Sequence, residues 1–168
     1  VGFFAMQAYG RVPAMLNFSA GMKNMNFACE AAGIQTIFTS KQFIDAANLS
    51  EMISTLETEG IKIIYLDQLE ITFWHRLRSL FLGYFAELYH KSYAANAPAV
   101  VLFTSGSEGV PKGVVLAHAN IQPNRYQLAA RVDFGPQDKI FNALPMFHAF
   151  GLTAGTILPV LAGISVFL

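Results

Sequence analysis

Apolar positions along the chain change period several times, and the changes delimit its elements. Met22, Met25, Ala28, Cys29 and Ala32 recur at spacings of three and four, a helical stripe that Gly33 closes as a C-terminal cap. "IQTIFTS" then reads as a short buried strand. From about Lys41 to Glu59 the spacing is helical again with a break near Asn48, and Gly60 ends it before the strand "IKIIYLD". Between about Leu69 and Tyr93, Trp74, Leu77, Phe81, Phe85 and Leu88 give a long helix one broad apolar face. That aromatic stripe is expected to be core. A lipid-surface or partner face flanked by His75, Arg76, Arg78 and Lys91 is the competing reading.

"AVVLFTS" and "GVVLAH" are the next strands, joined by a loop rich in glycine and hydroxyls. Asn120 is expected to cap the following helix, with Pro123 in its tolerant first turn. "KIFNALP" and "ISVFL" bracket a helical stretch from about Ala149 to Leu161. Strands alternating with helices predict an α/β fold whose mostly parallel sheet is flanked by helices.

Composition narrows the partners. Eleven basic and eleven acidic side chains give a formal charge of zero, so no nucleic-acid footprint is present. Charged residues make up 13% of the chain, about half of what a soluble domain carries. Two explanations compete, a membrane-associated protein and a piece of a larger domain, truncated at both ends, whose other parts cover the apolar faces. A chain that opens on Val1 and stops on "ISVFL" favours the second. Ile140 to Leu168 holds no Asp, Glu, Lys or Arg, yet Pro145, His148, Gly151, Gly155, Pro159 and Gly163 divide it into strand, turn, helix and strand, so no transmembrane segment is assigned. Cys29, the single cysteine, reads as a small core residue.

The candidate chemistry lies in "FTSGSEGVPKG". Glycines let backbone N–H groups approach a phosphate, hydroxyls add donors, and Lys112 adds a mobile charge. Its place after a strand fits the rule that ligands gather beyond the carboxyl ends of parallel strands. An NTPase loop requires Gly-Lys-Ser/Thr opening a helix, whereas Lys112 stands between Pro111 and Gly113 ahead of "VVL". A dinucleotide fingerprint fails on glycine spacing.

"TSGSEGVPKG" resembles the phosphate-loop signature [ST]-[ST]-G-[ST]-[TE]-G-x-P-K-G of the adenylate-forming superfamily at every position. "ALPMFHAFGL" is similar to its "LPxFHxxGL" segment, and "AYGRVPAMLNFSAGMKNMNFACEAAGIQTIFTS" to its N-terminal region. The resemblance implies part of the large N-terminal AMP-binding domain of a luciferase-like fold. It implies that Thr104, Ser105, Gly106, Ser107, Glu108, Gly109 and Lys112 hold the ATP phosphates, and that Phe147, His148, Phe150 and Gly151 form the acyl pocket. Glu108 replaces the commoner Thr, and its carboxylate is expected to turn away from the phosphates, to help hold a metal, or to be a surface turn residue.

"FTSGSEG" and "LPMFHAFGLT" most resemble the synthetase half of the bifunctional acyl-acyl carrier protein synthetase and 2-acylglycerophosphoethanolamine acyltransferases. That branch implies a ligase that makes a fatty acyl-adenylate with ATP and Mg²⁺. It passes the acyl group to acyl carrier protein, for lysophospholipid reacylation at the cytoplasmic face of the bacterial inner membrane. A fatty acyl-CoA ligase is the alternative within the superfamily, and a non-catalytic membrane-surface or nucleotide-binding module the alternative outside it. Neither a "YGxTE"-like adenine segment nor a "TGD"-like ribose aspartate occurs in the 168 residues, so this segment alone is expected to be inactive.

Overall fold

Four helices end with the same local device. Ile34 N–H donates to Cys29 O at 2.8 Å, Leu49 to Ile44 at 3.0 Å, Ile61 to Leu56 at 3.0 Å and Ile164 to Pro159 at 2.9 Å. In each case the preceding residue turns left-handed: Gly33, Asn48, Gly60 and Gly163 have φ of 59°, 53°, 88° and 71°. Glycine does this without a Cβ penalty, and asparagine is the side chain that tolerates it best. These stops cut the chain into the elements of a computed structural model that describes residues 1–85, 93–105, 111–135 and 137–167.

The chain divides into two compact units, residues 1–28 with 93–168, and residues 29–92. In the first, α1 (Gly2–Ala8), β1 (Ala14–Met15), a 3₁₀ turn (Phe18–Ala20) and most of α2 (Met22–Ala31) precede the second unit in sequence. The second unit holds β2 (Thr36–Thr39), α3 (Lys41–Ala46), α4 (Ser50–Thr58), β3 (Lys62–Tyr65), a 3₁₀ turn (Leu66–Gln68) and α5 (Phe73–Tyr84). β2 and β3 pair in parallel, and Cys29, Ile44, Ile53 and Leu56 are buried. The expected helix break at Asn48 and the core role of Cys29 are both observed.

The first unit resumes with β4 (Pro98–Ser105), β5 (Pro111–Ala117) and α6 (His118–Arg131). β6 (Lys139–Phe141), α7 (Ala149–Leu152), a π turn (Thr153–Ile157), α8 (Leu158–Ala162) and β7 (Ser165–Phe167) complete it. β4 is central, parallel to β1 and antiparallel to β5, while β6 and β7 are parallel. The fold is therefore the expected α/β class, with one antiparallel pair in a largely parallel set. Its core gathers Phe3, Ala99, Val100, Leu102, Ile121, Leu152 and Ile157. Each contributes the roughly 1.5–3 kcal/mol that burial of a large apolar side chain supplies, less for alanine.

Three expectations need correction. Among the described residues the aromatic stripe is not core: no residue of α5 is buried, and Trp74 is 74% exposed, while Leu88 and Lys91 lie outside the described residues. Helical periodicity reports amphipathicity, and it does not report what covers the face. Asn120 is not the N-cap, because α6 begins at His118; its side-chain oxygen instead reaches back to accept from Ala117 N–H at 2.8 Å. Pro123 consequently lies in the second turn, where its ring nitrogen cannot donate to the Ala119 carbonyl. Finally, the stretch expected as one helix from about 149 to 161 is interrupted by the π turn.

Candidate functional site

The phosphate-loop candidate is carried by the β4–β5 hairpin. Along β4, Val100 and Leu102 point into the core while Val101 and Phe103 are half-buried, the period of two expected of a strand. The pairing continues to the hairpin end, with Phe103 opposite Gly113, Thr104 opposite Lys112 and Ser105 opposite Pro111. A Cβ on Gly113 would lie 3.4 Å from the Phe103 ring, an ordinary contact across the ladder. Gly106, Ser107, Glu108 and Gly109 fall outside the described residues, with Val110.

A cleft of about 90 Å³ opens beside the carboxyl end of β4. Phe103, Thr104 and Pro111 line it from the hairpin, and Asn17, Ala20, Asn24, Met25 and Ala28 from the 3₁₀ turn and α2. Asn17 organises that turn by accepting from Ser19 N–H at 3.0 Å and Ser19 Oγ at 2.7 Å, and Asn24 Nδ2 donates to Ala20 O at 3.0 Å. Thr104 is exposed, and its hydroxyl reaches Lys112 O only at the long distance of 3.5 Å. Lys112 is exposed, and among the described residues the only ion pair is Lys41 with Asp45. An ammonium without an ion-pair partner among the described residues and a weakly held hydroxyl stand opposite each other across the hairpin, an arrangement suited to an anion.

The second candidate segment is shaped by backbone packing. Gly151 is buried, and a Cβ there would collide with the carbonyl oxygens of Leu144 and Pro145. Gly155 leaves the space filled by the Asn142 amide. Asn142 Nδ2 donates to Gly151 O at 3.4 Å and Thr156 Oγ1 donates to the same oxygen at 3.0 Å. This carbonyl belongs to the helix that enters the π turn, so side chains satisfy it where the ladder is out of step.

Phe147 packs edge-on against Phe18 at 5.6 Å and lies 5.3 Å from the His148 ring. The turn carrying Phe18 also lines the cleft, through Ala20, and so joins the two segments that the sequence singled out. Phe147, His148, Phe150 and Gly151 are not among the cleft-lining residues, and Phe150 is 62% exposed. Sequence reasoning missed Asn17 and Asn24, whose partners are local, and Asn142, whose partner is nine residues away. Asn17 carried only the weak signal of a turn-forming asparagine.

Comparison with known proteins follows the same outline. A profile of the family described as AMP-binding enzyme matches residues 1–168. Rice (Oryza sativa subsp. japonica) 4-coumarate–CoA ligase 2 is 26% identical over 184 aligned positions, covering 99% of this chain and 31% of the ligase. Escherichia coli medium-chain fatty-acid–CoA ligase is 45% identical over 65 residues, 39% of this chain and 12% of that protein. The chain thus spans less than a third of the length of these relatives. O-succinylbenzoate coenzyme A synthetase from Bacillus subtilis, in complex with ATP and magnesium ion, superposes with a TM-score of 0.69 at 22% identity. The superposition covers 99% of this chain and 40% of that one. With the α/β architecture, the hairpin loop and a family profile that runs from the first residue to the last in agreement, this chain belongs to the AMP-binding enzyme family.

Proposed function

We propose that the chain is part of the large N-terminal domain of an ATP-dependent acid–thiol ligase acting on a fatty acid. Thr104, Ser105, Gly106, Ser107, Glu108, Gly109 and Lys112 form the segment that receives the ATP phosphates. Phe147, His148, Phe150 and Gly151 belong to the acyl side of the site. The supporting observation is the hairpin register: Thr104 opposite Lys112 brings the two ends of the loop together beside an open cleft, with the lysine charge unpaired among the described residues.

In this reading a carboxylate oxygen of the fatty acid bonds to the α-phosphorus of ATP, and the bond from that phosphorus to the bridging oxygen breaks. Pyrophosphate leaves, and Lys112 balances the charge that accumulates on it. A thiolate then bonds to the acyl carbon and AMP departs. Mg²⁺ supplies further charge neutralisation when bound with ATP. Among the described residues no cluster of His, Cys, Asp and Glu is arranged to hold it.

The acceptor is read as the phosphopantetheine thiol of acyl carrier protein. The parent would then be bifunctional, reacylating lysophospholipid at the cytoplasmic membrane face, as "FTSGSEG" and "LPMFHAFGLT" suggest. CoA is a second reading, supported by the names of the rice and Escherichia coli relatives. Exposed Val115, Phe141 and Phe167 support the view that further chain completes the domain.

The test is fatty-acid-dependent exchange of pyrophosphate into ATP by the full-length protein. Lys112→Ala is expected to reduce it about 100-fold. Thioester formation on holo acyl carrier protein against CoA decides the acceptor. Absence of exchange with fatty acids of every chain length tried overturns the reading.

A further inference from the structure

α5 offers a surface that nothing in the proposed chemistry uses. At 100° per residue, Leu80, Phe73, Tyr84, Leu77, Phe81 and Trp74 fall within an arc of about 120°, and Arg76 and Arg78 lie about 40° beyond its two edges. His75 and Ser79 occupy the opposite side. Ser79 Oγ donates to Arg76 O at 2.8 Å, and His75 is engaged in the N-cap, its Nδ1 3.0 Å from Thr72 Oγ1. All six apolar side chains are exposed, Tyr84 to 86%. No acidic residue occurs from Ile71 to Phe85 in a chain whose acids and bases otherwise balance.

We propose that the Phe73–Tyr84 face lies on an anionic lipid surface, its aromatic side chains entering the headgroup boundary and Arg76 and Arg78 contacting lipid phosphates on either side. A twelve-residue helix is too short to span a bilayer, and no helix among the described residues is long and apolar enough to do so. An in-plane helix needs only this: a wide apolar arc, basic borders and no repelling carboxylate. Tryptophan and tyrosine suit a boundary that is apolar on one side and wet on the other, as the lipid headgroup region is. The proposal deepens the membrane-face reading above by naming the element that makes the contact, and its readout needs no catalysis.

Full-length protein is mixed with vesicles of phosphatidylethanolamine and phosphatidylglycerol, or of phosphatidylcholine alone, and sedimented. The wild type is expected to pellet with the anionic vesicles. Trp74→Ala with Phe81→Ala is expected to weaken partitioning about tenfold or more on both kinds of vesicle. Arg76→Glu with Arg78→Glu weakens it only on the anionic ones, by a margin that closes at high salt. Because α5 is exposed, both pairs should fold and keep wild-type pyrophosphate exchange in vesicle-free buffer. If the aromatic pair pellets as the wild type does, another element holds the membrane and this proposal falls while the membrane reading stands. A wild type that stays in the supernatant overturns both and assigns the face to a protein contact.

Discussion

Asp67 caps a helix from a distance of 26 residues in sequence. Its carboxylate accepts from Lys41 N–H at 2.9 Å and Gln42 N–H at 3.1 Å, while Ser40 Oγ accepts from Phe43 N–H at 3.1 Å. Together they satisfy the first three free donors of α3. The bond from Lys41 N–H, assisted by the one from Gln42, holds the Asp67 carboxyl below the usual carboxylate range. A pKa lower in the folded than in the unfolded chain contributes stability above the unfolded value, and that contribution is lost as pH falls through the folded one. Asp67→Asn should therefore lower the thermal midpoint of the full-length protein slightly at neutral pH, with the deficit closing below about pH 4. A deficit constant with pH would refute a charge-based role. Ser40 could be read as a cap from sequence because the N–H it accepts from is three residues away, whereas nothing local links Asp67 to Lys41. The same holds for Asn142, which is nine residues from the carbonyl it bonds.

At the scale of elements, the π turn between α7 and α8 is where side-chain chemistry overrides periodicity. Glycine is required at 155 because the Asn142 amide fills the space where a Cβ would be. Gly155→Ala should cost about 1–3 kcal/mol through overpacking, read as a lower denaturant midpoint. Asn142→Ala in the same chain should recover part of that loss, because it removes the colliding amide. Additive losses would show that the two positions are not coupled. The four helix ends were legible because each is written in two adjacent residues, Gly-Ile three times and Asn-Leu once. The π turn was not legible. At the π turn Thr156 and Asn142 both donate to the Gly151 carbonyl, and Asn142 reaches it from nine residues away.

For the whole molecule, the phosphate hairpin and the segment from Ala143 to Leu152 share the first unit, linked by the 3₁₀ turn whose Ala20 lines the hairpin cleft and whose Phe18 packs on Phe147. The chain spans less than a third of the length of its relatives and carries neither of the adenine- and ribose-binding patterns expected of the superfamily. The 168 residues expressed alone are therefore expected to give no pyrophosphate exchange under conditions in which the full-length protein does. Measurable exchange by the shorter chain would mean that its own residues complete a site. The α/β class, the strand and helix order and the phosphate-loop motif were determined by the sequence itself, because period, caps and loop chemistry act over a few residues. Tertiary structure alone decided which apolar faces are covered. The stripes of α2 and α5 are both amphipathic, yet Met25 and Ala28 are buried while Trp74 and Tyr84 face solvent. Burial depends on what packs against a face, and that partner is chosen by residues distant in the chain.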